Sequence, residues 1–273
     1  MKALVFLGGG RITSALVAGL RLTGYDRRIV VHDCHPRKLR ELRNQYRITA
    51  EPDLQRAVAQ AGLLVIAVRP DSVGELLQQI GDLRRSLPAV SLAAGIPLAN
   101  LRAQLGPPVH WARAMPSPVC RTAQGLTALT FEGNFPNSAK REVRRLFACV
   151  GQVIEIPQHQ FDAFTVTYSS SHGYHALAAL AFAAQKLGLD RNTALIAAAH
   201  ALGDGVVTWR EGRIPLKRLL HEAATPGGVA ATVMSAMDHA GYSSIVERAL
   251  RKGIERARDA VAPVSRRPSR RRG

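Results

Sequence analysis

The sequence is poor in cysteine, in aromatic residues and in acidic residues. Only 3 of its 273 residues are cysteine, and this odd, widely spaced set fits a reducing compartment better than a disulfide framework. Aromatic residues make up 5% of the chain, which is few for a protein that stacks nucleic-acid bases. Lys and Arg number 37 against 20 Asp and Glu, so the formal net charge is +17, which attracts anions without selecting one.

Long apolar runs are also missing. Residues 1–10 hold only a short apolar run followed by glycines, too little for a signal peptide or a membrane span. We therefore expect a cytoplasmic protein without a membrane partner. Because 47% of the residues are hydrophobic, the chain can still bury a core, and its length predicts about two domains.

The first 160 residues alternate short aliphatic runs with longer amphipathic runs. Such alternation favours a parallel sheet covered by helices, because parallel strands need a helix-length return. The expected fold class is α/β, with a Rossmann-type domain over residues 1–160. The short runs predict strands at residues 3–7, 29–32, 63–68, 89–92, 109–112, 126–129 and 151–156.

Beyond residue 161 the strand signals stop and alanine becomes frequent, as in residues 176–187. Alanine has the highest helix propensity, and its small side chain lets helix axes approach closely. We therefore expect an all-helical dimerisation domain over residues 161–262, packed in a bundle that a second chain completes. Residues 263–273 are rich in arginine and have no apolar period, so they predict a basic, disordered tail.

A glycine-rich turn follows the first predicted strand. Residues 8–13 read GGGRIT and lead into a predicted helix at 14–23. Glycines such as Gly8 and Gly10 permit a tight turn and let the backbone approach a pyrophosphate at the helix N-terminus. Thr13 stands where the dinucleotide fingerprint has its third glycine. The placement of the turn predicts a dinucleotide site.

The residues after the second predicted strand give conflicting signals about the coenzyme. Asp33 stands where an acidic side chain accepts hydrogen bonds from the adenosine ribose of NAD. Arg37 and Lys38 follow within the same turn and are suited to the 2′-phosphate of NADP. A solvated helix face is the alternative interpretation of these cations. NADP and NAD both stay open, and NADPH is favoured.

Four further segments give the chain a likeness to one family. They read AVRP at 67–70, SLAAGI at 91–96, RAMP at 113–116 and ATPGG at 224–228. In order and spacing, the set resembles pyrroline-5-carboxylate reductase. The resemblance implies an N-terminal NAD(P)-binding domain and a helical domain that interlocks with its partner in a homodimer or larger assembly. It also implies hydride transfer to the C=N carbon of a cyclic imine carboxylate.

The same resemblance implies which residues line the coenzyme. The glycine-rich turn would border the pyrophosphate, the loop after the third long strand would border the ribose, and the next loop would flank the nicotinamide. Together with Asp33 and Arg37, the expected cofactor-binding residues are Gly8, Gly10, Arg11, Ile12, Val68, Arg69, Pro70, Ala93, Ala94 and Gly95.

The substrate is expected beside the turn Pro226, Gly227 and Gly228, where backbone N–H groups receive a carboxylate at a helix start. The family usually carries a threonine hydroxyl after this turn, where this chain has Val229 and Ala230. Leaving a polar substrate atom unpaired costs on the order of 1–3 kcal/mol. Two alternatives follow: a divergent member that reduces a different imine, and a coenzyme-binding protein without reductase activity.

Reduction of an imine also needs a proton at nitrogen. The candidate catalytic residues are Thr225, His172 and Tyr174. The last two lie in the segment YSSSHGY at 168–174, which has lost two glycines and a proline of the family's usual loop. Histidine as a residue type titrates near neutral pH and is therefore able to donate. A structural role for His172, capping a helix, is the alternative.

We predict no metal site. The run from His32 to His35 stands at a strand end, where alternation points neighbouring side chains to opposite faces. A second candidate, His221, lacks a histidine four residues later. A nucleic-acid partner is not expected either, because no basic stripe is interleaved with aromatic residues. The expected partners are a small imine carboxylate and a second copy of the chain.

Overall fold

The computed structural model of this chain describes residues 2–259. These residues form a sheet unit, residues 2–168 and 253–259, and a helical unit, residues 169–252. The predicted tail at 263–273 and the end of the predicted helical domain lie outside the described residues, and the predicted domain boundaries stay predictions. None of the described helices has the length and apolar character that a membrane span requires.

The sheet unit is built on one eight-stranded sheet in the order β3-β2-β1-β4-β5-β6-β7-β8. All neighbouring strands are parallel except β6 and β7. The predicted parallel sheet is confirmed except at this pair, where a single 3₁₀ turn, Pro118–Thr122, is too short for a parallel crossover. The strands are β1 Ala3–Leu7, β2 Ile29–His32, β3 Thr49–Ala50, β4 Ala61–Ile66, β5 Leu87–Ser91, β6 Val109–Pro116, β7 Gly125–Phe131 and β8 Gly151–Glu155.

Helices cover both faces of this sheet. Along β1, Leu4 and Phe6 join a core with α1, α2 and α6, whereas Val5 and Leu7 join a core with α3, α4 and α5. Successive strand residues point to opposite faces, so a strand covered on both sides is apolar throughout. The helices of this unit are α1 Arg11–Leu22, α2 Pro36–Tyr46, α3 Leu54–Gln60, α4 Pro70–Ile80, α5 Leu98–Gln104, α6 Asn137–Ala148 and α7 Phe161–Thr167.

The strand order reverses beside β1, which lies between β2 and β4. Backbone hydrogen bonds continue past the strand ends: Gly8 donates to the His32 carbonyl at 2.8 Å, and Ala67 donates to the Leu7 carbonyl at 2.8 Å. The loops that follow these three strands therefore meet at one edge of the sheet. Open α/β sheets bind ligands at this position, outside the carboxyl ends of the strands.

The helical unit contains α8 Ser170–Lys186, α9 Arg191–Gly212, α10 Leu216–Ala223, α11 Val229–His239 and most of α12 Tyr242–Asp259. Among the described residues from 161 onward there is no strand, so the all-helical expectation is confirmed for them. Within this unit the described side chains that are buried are those of Ala181, Ala194 and Ala198.

Candidate functional site

The glycine-rich turn lies at the carboxyl end of β1 and leads into α1. Gly8 has a φ of +109°, and a Cβ there would lie 2.6 Å from the Ala67 carbonyl oxygen. Gly8 is therefore required by the close approach of the loop after β4. Gly10, the N-cap of α1, has no side-chain cap, and a Cβ on it would meet nothing within 4 Å. The turn thus leaves open space before the first N–H groups of α1, where an anion binds.

Thr13 occupies the position of the third fingerprint glycine and connects α1 to β1 by a hydrogen bond. Its side chain is fully buried, and its Oγ1 donates to the Gly8 carbonyl at 2.6 Å. The hydroxyl thereby ties the first turn of α1 to the end of β1. Sequence reasoning treated this residue only as a departure from the fingerprint.

Asp33 holds the same turn from the end of β2. Its Oδ2 accepts a hydrogen bond from the Gly9 N–H at 2.8 Å, and its Oδ1 accepts one from the His35 N–H at 2.8 Å. Burial alone opposes ionisation, but these hydrogen bonds and nearby Lys38 outweigh it and hold the pKa of Asp33 below its usual value. The contact of Asp33 with the adenosine ribose stays a prediction. Both oxygens of this carboxylate already accept hydrogen bonds from the protein backbone.

Several cations surround this edge of the sheet. Arg11 is exposed at the start of α1, and Lys38 Nζ lies 3.4 Å from Asp33 Oδ2. Arg37 is largely exposed and pairs with Glu41 along α2 at 3.0 Å, a contact that agrees with the solvated-face interpretation of this residue. Exposed cations beside an uncapped helix start favour binding of an anionic group such as a phosphate.

The loops after β4 and β5 border the turn on its other side. Val68 is half-buried, and its Cγ1 lies 3.1 Å from the Cβ position of Gly8. Ala93 is buried, and its N–H donates to Ser91 Oγ at 3.3 Å. The other residues predicted in these loops differ in exposure: Arg69 is exposed, Pro70 and Ala94 are half-buried and Gly95 is buried.

Gly95 has a structural reason to be glycine that the sequence did not reveal. Its φ is +74°, and a Cβ on it would lie 2.2 Å from the Ala257 carbonyl oxygen. The last turns of α12 therefore pack directly on the loop predicted to flank the nicotinamide. Ile12, by contrast, is half-buried and packs on the core below the glycine-rich turn.

In the helical unit, a tight turn precedes α11. The Gly228 N–H donates to the Thr225 carbonyl at 2.8 Å, and Gly227 has a φ of +75°. Gly228 is the N-cap of α11 and no side chain caps it. Val229 and Ala230 are exposed at the first helical positions, where backbone N–H groups have no partner within the helix.

The other predicted catalytic residues lie near the start of α8. His172 and Tyr174 are both exposed, and the His172 N–H donates to the Ser169 carbonyl at 3.1 Å. His175 follows three residues after His172 within the same helix, so the two histidines share a helix face. The catalytic roles of His172, Tyr174 and Thr225 stay predictions.

Sequence reasoning missed Arg113, although it quoted the RAMP segment. The Arg113 guanidinium is fully buried in β6, 3.4 Å from Asp162 Oδ1 and 4.2 Å from the centre of the Phe161 ring. Burial lowers its pKa, and Asp162 opposes that shift. Asp162 also pairs with Arg258 of α12 at 3.5 Å. An arginine within a strand pattern of apolar neighbours was the available signal, since a buried charge requires a partner.

The expected separation of the side chains from His32 to His35 is wrong, whereas the predicted absence of a metal site stays a prediction. Alternation does not separate the side chains after His32, because β2 ends at that residue. Ligand atoms of Asp33, Cys34 and His35 instead lie within 4.8 Å of one another.

Comparisons with known proteins match two separate models to the N-terminal and C-terminal parts of the chain. The family model described as NADP oxidoreductase coenzyme F420-dependent matches residues 3–95, and the model described as pyrroline-5-carboxylate reductase dimerisation matches residues 158–260. Among solved structures, a pyrroline-5-carboxylate reductase from Coxiella burnetii has a TM-score of 0.85 at 22% identity, covering 96% of this chain and 99% of that chain. At this identity the likeness shows the fold.

A second structure supports the same fold. The Plasmodium falciparum pyrroline carboxylate reductase, whose crystal structure has NADP bound, gives a TM-score of 0.83 at 19% identity over 96% of this chain and 98% of that chain.

Curated relatives are closer in sequence. A pyrroline-5-carboxylate reductase from Pseudomonas aeruginosa is 27% identical over 93% of this chain and 95% of its own length. One from Thermus thermophilus is 32% identical over 92% of this chain and 97% of its own length. Fold, motifs and relatives agree over nearly the whole chain, and the chain belongs to the pyrroline-5-carboxylate reductase family.

Proposed function

We propose that this protein reduces pyrroline-5-carboxylate to proline with a reduced nicotinamide coenzyme. The observation that carries the proposal is the uncapped start of α1 at Gly10, with open space before it, at the strand-order reversal of the sheet. When bound, the coenzyme supplies a hydride to the C=N carbon, and the imine nitrogen takes up a proton.

The glycine-rich turn and its neighbours fit the coenzyme. Gly8 allows the close approach of the loop after β4, Gly10 leaves space before α1, and the first N–H groups of α1 receive the pyrophosphate. The predicted contacts of Arg11, Val68 and Arg69 belong to this proposal, as do those of Ile12, Pro70, Ala93, Ala94 and Gly95.

NADPH suits this site better than NADH. Both carboxylate oxygens of Asp33 already accept backbone hydrogen bonds, so this side chain is less free to receive ribose hydroxyls. Lys38 and Arg37 offer cationic groups in the same turn, and Arg37 is exposed to solvent apart from its pair with Glu41. A 2′-phosphate gains charge-assisted hydrogen bonds from such groups.

The substrate carboxylate is proposed to bind at the start of α11. Pro226, Gly227 and Gly228 form the turn, and the N–H groups of Val229 and Ala230 are the donors. α11 has no side-chain cap that would compete with a carboxylate for these donors.

The proton is proposed to come from Thr225, His172 or Tyr174, directly or through one water. All three side chains are exposed in the helical unit. Thr225 keeps a hydroxyl beside the turn, although Val229 and Ala230 lack one. Replacing each donor in turn (Thr225→Val, His172→Gln, Tyr174→Phe) separates them: the donor's variant loses kcat, whereas a binding residue's variant mainly raises KM.

The protein is proposed to act as a homodimer or larger homo-oligomer in the cytoplasm. Large apolar side chains lie exposed along the helices of the helical unit, including Phe182, Ile196 and Trp209. Exposed apolar surface of this extent marks an association surface. The three cysteines are free thiols, in agreement with a reducing compartment.

The test is an assay of NADPH oxidation with pyrroline-5-carboxylate, with proline measured as the product. The Gly10→Ala variant is expected to raise KM for NADPH about tenfold or more, because its methyl group occupies phosphate space without a clash in the fold. Gly74→Ala, in α4, is the matched control, since a Cβ there meets only Gln104 side-chain atoms at 3.9 Å.

Two results would contradict the proposal. Absence of NADPH oxidation with pyrroline-5-carboxylate, by protein that binds NADPH, rejects this substrate; a panel of other cyclic imines then separates a divergent reductase from a coenzyme-binding protein. Equal effects of Gly10→Ala and Gly74→Ala on KM reject the glycine-rich turn as the coenzyme site.

A further inference from the structure

Three metal-binding side chains converge just after β2. The His35 Nδ1 lies 2.9 Å from Asp33 Oδ1 and 3.2 Å from Cys34 Sγ. The third distance, from Cys34 Sγ to Asp33 Oδ1, is 3.9 Å. A carboxylate, a thiol and an imidazole are the ligand types that proteins use for zinc.

These distances agree with the edges of a zinc coordination tetrahedron. Zinc lies about 2.0–2.3 Å from nitrogen, oxygen and sulfur ligands, so two tetrahedral ligands are separated by roughly 3.3–3.8 Å. Each observed separation is within about half an ångström of that range, so small side-chain rotations bring the three atoms onto one ion. The backbone of the turn already holds the residues in place.

The two oxygens of the Asp33 carboxylate have different partners, and Oδ1 keeps a lone pair that can bind a metal ion. Asp33 Oδ2 accepts from the Gly9 N–H and lies 3.4 Å from Lys38 Nζ. Asp33 Oδ1 accepts the His35 N–H at 2.8 Å, and a carboxylate oxygen has a second lone pair for a metal. Asp33 is buried, whereas Cys34 and His35 are exposed, so an ion reaches the site from solvent.

We propose that Asp33 Oδ1, Cys34 Sγ and His35 Nδ1 form a binding site for one zinc ion, with a water molecule as fourth ligand. Binding converts the Cys34 thiol to the thiolate and releases its proton to solvent. Thiolate and carboxylate together carry two negative charges, which balance the two positive charges of the zinc ion and leave the single positive charge of Lys38. Residues 260–273 contain no Cys, His, Asp or Glu and add no side chain of these ligand types.

The site has a consequence for catalysis that rests on the proposed function. Asp33 also holds Gly9 of the glycine-rich turn, and Lys38 is a proposed 2′-phosphate partner. An ion on Asp33 Oδ1, with its water ligand, would occupy the space proposed for the adenosine ribose, and its positive charge would repel Lys38. Zinc therefore competes with NADPH and raises its apparent Kd.

The direct test is a cobalt titration of the full, reduced, tag-free chain after chelator treatment. Cobalt(II) substitutes for zinc and gives a thiolate-to-metal charge-transfer absorption. We expect one equivalent of Co²⁺ per chain to produce that absorption, and Zn²⁺ to abolish it by displacement. Cys34→Ser should remove the absorption, and His35→Ala should weaken Co²⁺ binding about tenfold or more.

Matched controls use a cysteine and a histidine outside the cluster. Cys149→Ser, at the end of α6, and His159→Ala, an exposed residue, should leave the titration unchanged. Absence of the absorption, its survival in Cys34→Ser, or its loss in Cys149→Ser would overturn the site. These outcomes need no coenzyme, so they stand whether or not the proposed reaction is found.

The competition is tested separately by NADPH binding with and without Zn²⁺. We expect Zn²⁺ to raise the Kd in the wild-type chain and to have no effect in Cys34→Ser. An equal rise in both chains would overturn the overlap of the two sites. Failure of NADPH to bind at all would instead count against the proposed function, and the cobalt result would still decide the metal site.

Discussion

Helix α1 of the sheet unit and helix α9 of the helical unit differ in the fraction of their residues that is buried. α1 has 12 residues and buries Thr13, Ala15, Leu16, Val17, Gly19 and Leu20. α9 has 22 residues and buries only Ala194 and Ala198. The sheet unit thus buries a core of its own, whereas the helical unit leaves most of its large apolar side chains exposed, and an exposed apolar surface of this extent is typical of an interaction site.

The sequence patterns of the two helices agree with this difference in burial. α1 carries its apolar residues on one stripe, which is typical of a helix packed on a sheet. α9 has alanine and larger apolar residues around much of its circumference, which is typical of a helix surrounded by others. The alanine-rich composition therefore indicates assembly.

The largest expected effect is on association. Ile196→Asp, on the exposed surface of α9, should place a charge in the proposed interface between copies and weaken association by about 4 kcal/mol or more. Leu22→Asp, at a leucine that is 66% exposed in α1, is the control and should leave the assembly intact. Analytical ultracentrifugation measures both. Equal dissociation of the two variants would contradict the distinction between the units.

The next effect tests the self-contained core of the sheet unit. A Cβ on Gly19 would lie 1.9 Å from the Cys120 carbonyl oxygen, so Gly19→Ala must displace backbone and should cost about 3 kcal/mol or more of unfolding free energy. Gly74→Ala should be neutral or stabilising by up to about 1 kcal/mol, because alanine is the better helix former. Denaturant unfolding compares them, and a stable Gly19→Ala chain would refute the close packing.

A smaller effect is expected from the buried ion pair. Asp162→Asn leaves the Arg113 guanidinium in a buried position without its carboxylate and also removes the partner of Arg258. We expect a loss of about 2 kcal/mol, less than for a fully enclosed pair because Asp162 is partly exposed. The control is Asp71→Asn, whose carboxylate pairs with Arg69 on the surface. Similar unfolding free energies for these two variants would rule out the proposed role of Asp162.

The smallest effect is alkaline destabilisation through Cys120. Burial raises the pKa of this thiol to about 12, although nearby Arg121 opposes the shift. Since the unfolded thiol ionises at about 8.5–9, its contribution is complete below that pH and is lost as the pH rises towards 12. We expect stability to fall by about 1 kcal/mol more between pH 9 and 10 in the wild type than in Cys120→Ala. An identical slope in both chains would exclude this cause.

The sheet and its glycine-rich turn were largely predictable, because apolar strand runs and glycines carry local signals. Two features were not. β3 has only two residues, Thr49–Ala50, too few to show alternation, and it is defined by pairing with β2. The strand pattern predicted β7 as a strand, but its antiparallel direction depends on the short connection after β6, which that pattern does not reveal.

The position of the candidate site in the chain was predictable from the sequence, whereas most of its hydrogen bonds were not. The turn at Gly8 and Gly10 follows from sequence, because each glycine has a local conformational meaning. The hydrogen bond from Thr13 to Gly8 and the carboxylate of Asp33 on Gly9 arise from the folded geometry. The convergence of Cys34 and His35 on Asp33 depends on side-chain directions in the turn after β2, which strand alternation does not describe.

Titration calorimetry of NADPH on the wild type and on Gly10→Ala tests the central claim most directly, that the uncapped start of α1 binds the coenzyme pyrophosphate. The account predicts saturable binding to the wild type and binding weaker by about tenfold or more in Gly10→Ala, at an unchanged melting temperature. Absence of binding by the wild type, or equal affinity of the two chains, would contradict it.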